Sequence, residues 1–127
     1  MSDESEREIQ NLGSMLLMIY MQLRTVCGLL PIPITLPDFE DDVLRGQEMT
    51  ASVAQVINLI EDEPVDEFIQ GGIWVAAVHW VSASHLFARY MDHNDEAVAL
   101  GVRSNAILAH DTLHAVEDLL LVERDDE

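Results

Sequence analysis

The sequence predicts an all-α protein, an up-down-up-down four-helix bundle with long helices, built as a single domain of 127 residues. Three observations lead there. Apolar residues recur at steps of three and four over four long stretches, the period of one buried helical face. The breaks between those stretches hold the prolines and the Asp/Asn clusters that punctuate helices. No strand pattern competes with them. A chain of this size can bury a substantial core without metals or disulfides. The single cysteine, Cys27, rules out an internal disulfide framework or a Cys-rich zinc site.

Helix 1 is expected over about residues 6–29. Ile9, Leu12, Leu16, Ile19, Leu23, Val26 and Leu30 hold one face, and Ser5 with Glu8 makes a capping box at its start. Gly28 and Pro31 stop it. Pro31-Ile-Pro-Ile-Thr-Leu-Pro37 cannot be helical, because its prolines remove donors and push the preceding residues to extended geometry. Its Ile32, Ile34 and Leu36 are expected to close one end of the core like a lid. A proline-rich recognition segment is the sharper alternative.

Helix 2 is expected from an Asp38 cap, with Glu40, Asp41 and Asp42 against the positive end of its dipole. Phe39, Val43, Met49, Val53, Val56, Ile57 and Ile60 form its stripe, and Glu61-Asp-Glu-Pro64 ends it. Helix 3 is expected over 65–91. Asn94 then caps helix 4, which runs to about residue 122 with Val98, Val102, Ala106, Ala109, Leu113, Val116 and Leu120 inward. Residues 1–5 and 123–127 are acidic ends expected to fray. Short connections favour antiparallel neighbours, which gives the up-down-up-down order.

Charge is the most informative global property. Twenty-four Asp and Glu stand against six basic residues, giving a net charge of −18. All six are Arg; lysine is absent. Such self-repulsion destabilises a compact state in dilute salt and fades when the Debye length falls to about 3 Å near 1 M. The pattern is that of proteins from archaeal extreme halophiles. No basic patch is present to hold phosphates, so no nucleic-acid partner is expected. The chain opens acidic where a secretory leader would be basic, which gives a cytoplasmic expectation, or a place within a viral particle.

Helix 3 carries both tryptophans, and residues 69–88 contain no formal charge with histidine neutral. Twenty such residues reach the length of a membrane span. Gln70, Gly71, Gly72, His79, Ser82, Ser84 and His85 argue otherwise, as does the lack of flanking basic residues. The expectation is a central helix of a soluble core, buried on most of its circumference. Trp80, Phe87, Ala76, Ala83, Ile73 and Met91 gather on one side, with a polar seam of His79, Ser82, His85 and Arg89 opposite.

On helix 4, His110, His114 and Glu117 align at i, i+4 and i+7. Two imidazoles one turn apart can bind a divalent metal ion, with His79 or His85 as a possible third nitrogen ligand. The plainer reading is a solvated or interfacial histidine pair, and no cofactor is otherwise implied. Other motifs fail. Asp92-His-Asn-Asp-Glu96 lacks the glycine and closing glutamate of a calcium loop, Gly71-Gly72 has no phosphate-binding context, and Cys27 reads as an inert buried thiol.

Helices 1 and 4 each carry apolar residues beyond their core stripe: Leu17, Met18 and Met21 on one, Leu100, Ile107 and Leu121 on the other. Second apolar faces on a charge-heavy protein mark protein contact. The expected function is therefore non-enzymatic, through self-association or a protein partner. A metal-binding bundle is the alternative.

Overall fold

The computed structural model describes residues 3–37 and 46–125. It is all-α, with four helices: α1 Asp3–Gly28, α2 Gly46–Leu59, α3 Glu67–His93 and α4 Glu96–Asp125. A 3₁₀ turn, Ile60–Asp62, extends α2. The expected cap at Asp38 and the outer stripe residues Phe39 and Val43 lie outside the described residues.

The first turn of α1 holds Asp3, Glu4 and Glu6. Their charges favour the positive end of the helix dipole, which carries the helix three residues beyond its expected start. Ser5 therefore lies inside α1 rather than at its cap. Glu8 receives Arg103 from α4, at 2.6 Å from Nη2 and 3.2 Å from Nε. At the other end Gly28 takes no left-handed turn. The chain tightens through Leu29 N–H to Val26 O and Leu30 N–H to Cys27 O.

Pro31–Pro37 does not cross the end of the bundle. It folds back along α1: Ile34 N–H donates to Cys27 O at 3.2 Å, Arg24 Nε to Leu36 O at 3.1 Å, and Tyr20 Oη–H to Pro37 O at 2.6 Å. Ile34 and Leu36 are buried while Ile32 is exposed. This strap corrects both the lid expectation and the order of helix directions. Glu8 against Arg103 and Gln22 against His110 set α1 parallel to α4. Thr50 against Ser84 and Ile60 against Gln70 set α2 antiparallel to α3. Gly13 faces Phe87 while Leu16 faces Trp80, so α1 is also antiparallel to α3. Thus α1, α2 and α4 point one way and α3 the other. The all-α four-helix bundle stands, but its order is up-up-down-up. The reason is the extended strap. A proline-stiffened chain advancing ~3.3 Å per residue can retrace a helix that rises 1.5 Å per residue.

α3 is the organising helix, antiparallel to each of its three neighbours. Asp66 caps its start by accepting from Ile69 N–H at 3.0 Å. Ile69, Ile73, Ala76, Ala77, Trp80, Ala83 and Tyr90 are buried. The Trp80 indole N–H donates to Leu16 O at 2.9 Å, and its ring tilts against Tyr20 with centroids 5.9 Å apart. The fully buried residues of α3 share one face, with half-buried residues on both flanks. Phe68, Trp74 and Val75 are exposed, and Met91 is exposed at the edge of the space between α1, α2 and α3. No helix among the described residues is long and apolar enough to cross a membrane.

The turn into α4 also differs from expectation. Asn94 adopts the left-handed conformation (φ 53°) and returns its N–H to Tyr90 O, closing α3. Asn tolerates that region better than most residues. The start of α4 passes to Asp95, whose Oδ1 accepts from Ala97 N–H at 2.9 Å.

Candidate interaction surface

α4 packs through a clean inner stripe in which Val102, Ala106, Ala109, Leu113 and Val116 are essentially inaccessible. One side of the stripe meets α3. Gly72 sits so close to α4 that an added Cβ would lie 2.5 Å from Val116 Cγ2. The other side meets α1 through Arg103 and His110. The remaining arc of α4 faces outward and carries apolar residues among the exposed Ser104, Asp111, His114 and Asp118. Leu100 is 64% exposed and Ile107 53%, with Leu108, Leu119, Leu121 and Val122 also open.

The six expected contact residues divide in two. Leu100, Ile107 and Leu121 line the outer arc of α4, and Met18 and Met21 are exposed on neighbouring α1. Leu17 lies elsewhere: it is half-buried and lines a groove of about 910 Å³ between α1, α2 and α3. Leu16, Met49, Trp80, Phe87 and Met91 share that groove. It opens where α1 and α2 stand apart, with no Cα of one within 8 Å of the other among the described residues. Helical spacing alone placed Leu17 with the methionines, but α1 turns it away from them.

The polar seam of α3 is spread over three environments. His79 Nδ1 lies 2.8 Å from Asn105 Oδ1 at the α3–α4 contact, and Asn105 Nδ2 donates to Gly101 O. Ser82 is half-buried, while His85 and Arg89 are exposed. His85 edges the groove, where Thr50 and Ser84 hydroxyls bond at 2.9 Å.

The His110–His114 strip is open to solvent, its rings edge-on with centroids 6.4 Å apart. His110 Nδ1 lies 3.0 Å from Gln22 Oε1 on α1, and His114 Nδ1 lies 3.4 Å from Asp118. A hydrogen bond to the backbone at His114, then the Asp118 charge, push its imidazole pKa up. Glu117 is half-buried beside them. Neither His79 nor His85 reaches this strip, since α3 meets α4 on the side away from α1. No three His, Cys, Asp or Glu side chains gather in a metal-holding group among the described residues.

Sequence reasoning missed Glu63. Expected only as part of the Glu61-Asp-Glu-Pro64 stretch that ends helix 2, it is buried and accepts Ile32 N–H at 2.7 Å. The only hint was its position in an acidic turn beside Pro64, which does not distinguish it from Glu61 or Asp62. Cys27 is buried, and its thiol is pushed up to about 12 by burial and then by Glu63.

Family models, curated proteins and solved structures offer no match to this chain.

Proposed function

We propose that this chain is a non-enzymatic helical bundle of a halophile that acts by self-association or by docking into a larger assembly, cellular or viral. The observation behind this reading is the exposed apolar arc of α4, Leu100, Ile107 and Leu121, beside Met18 and Met21 of α1. A monomer with this charge gains nothing by leaving such residues in water, and contiguous apolar surface is where proteins meet. Methionines suit a contact that adapts to its partner. The absence of lysine and the net charge of −18 support a protein suited to molar salt.

The test is light scattering in 3 M KCl, paired with affinity capture in the same salt. A clean monomer that captures no partner would sink the reading. Circular dichroism adds a check on the environment, with helicity expected to fall between 3 M and 0.05 M salt; an unchanged spectrum would remove the halophile assignment. The second reading places a divalent cation on His110 and His114, whose exposed imidazoles share one strip. Metal analysis of protein purified without chelator tests it. Less than about 0.2 equivalents, unchanged in His110→Ala and His114→Ala, would reject it.

A further inference from the structure

The outer side of α4 is complementary to itself when a second copy is laid against it in reverse. Leu100, Ile107, His114 and Leu121 recur every seven residues, so they form a single line on the helix. All four are exposed. The midpoint of α4, Glu96–Asp125, falls between His110 and Asp111. An antiparallel copy centred there overlaps the whole helix. It places Leu100 against Leu121 of the other copy and Ile107 against His114. Arg103, which Glu8 of its own chain already holds, then stands across from Asp118, with Glu117 beside it. A parallel pairing would instead oppose Arg103 to Arg103, Asp111 to Asp111 and Asp118 to Asp118.

We infer that two copies of this chain form a two-fold dimer through antiparallel α4 helices, with the dyad at the His110–Asp111 step. This rests on the self-association arm of the proposed function and specifies its surface and register. The contact is isologous and closes on itself, as two-fold dimers require. Each α4 supplies a strip ~45 Å long at 1.5 Å per residue, or roughly 1,000 Å² across both copies if the strip is ~11 Å wide. That is the low end for a stable contact, and Met18 on the adjoining flank of α1 extends it. Repulsions remain: near the dyad Asp111 lies beside its own copy, and at each end the register opposes position Glu96 to position Asp125. With −18 on each chain, the dimer therefore depends on salt that shortens the Debye length to about 3 Å.

The experiment is light scattering in 3 M KCl with circular dichroism on the same samples. Wild type is expected at twice 14.2 kDa, and Ile107→Glu at 14.2 kDa with helicity retained. Asp111→Asn is expected to tighten the dimer severalfold and keep it together at lower salt. Register is read by mild oxidation. Leu100→Cys/Leu121→Cys should link into a covalent dimer, because the two positions meet only across copies. Within one chain they stand ~31 Å apart, too far to bridge. Each single variant should not link, since like positions are separated by the same ~31 Å, and Cys27 is buried. A wild-type monomer at every concentration would overturn the inference together with the self-association arm. A dimer that survives Ile107→Glu and fails to link in the double variant would overturn the α4 register alone.

Discussion

The Ile32 backbone N–H donates to the Glu63 carboxylate at 2.7 Å, tying the proline strap to the turn before α3 across 31 residues. Glu63 is 8% exposed, so removing its carboxylate takes the acceptor from a part-buried N–H. Glu63→Ala is expected to cost about 1.5–3 kcal/mol, the range for a buried hydrogen bond to a charged group. Glu63→Gln, which keeps an acceptor, should recover much of that loss. Denaturant midpoints at fixed salt measure both. A midpoint unmoved by the alanine would mean that Ile34 and Leu36 hold the strap unaided.

Gly71 and Gly72 are adjacent and should respond oppositely to alanine. A Cβ on Gly72 would lie 2.5 Å from Val116 Cγ2, so Gly72→Ala must displace the Val116 side chain or push α3 from α4 and is expected to cost about 1–3 kcal/mol. Gly71 has nothing within 4 Å of such a Cβ. Gly71→Ala should therefore stabilise by about 0.5–1 kcal/mol through helix propensity. Thermal melts of the two variants decide it; equal shifts would argue against the close helix contact at Gly72.

Cys27 should be chemically silent in the native protein. With its pKa near 12, almost no thiolate exists at pH 8, and the sulfur is buried. Ellman's reagent is expected to find no thiol until denaturant is added, and then one per chain. Prompt labelling of native protein would contradict this packing.

His114 should titrate above its ordinary value of 6.5, since a backbone hydrogen bond and then Asp118 favour its protonated form. A raised folded pKa adds stability below pH 6.5 that disappears as pH rises through the folded value. The ring is open to solvent, so proton NMR of the imidazole is the appropriate readout rather than unfolding. Asp118→Asn should lower the midpoint. No movement would remove Asp118 as a cause.

Much of the helical layout was legible because periodicity follows from local geometry. The core positions Leu12, Leu16, Leu23, Val53, Val56, Leu113 and Val116 are all inaccessible or nearly so. What periodicity lacks is the identity of the neighbour. Leu17, Met18 and Met21 carry the same apolar signal, yet Leu17 lines the groove while the methionines face outward. His110 and His114 share a strip as their spacing required, whereas His79 was taken up by Asn105, a partner 26 residues away.

The sequence by itself determined the helical class, the charge regime and which stripe of each helix is apolar. These depend on composition and on repeats within a turn or two. The tertiary structure decided direction and partnership. Three prolines prevent residues 31–37 from forming helix, but only their contacts with Cys27, Arg24 and Tyr20 show that they retrace α1. That return lets α1, α2 and α4 run one way against α3. It also leaves the outer arc of α4 uncovered, because a helix already packed on α3 and α1 has no third neighbour among the described residues.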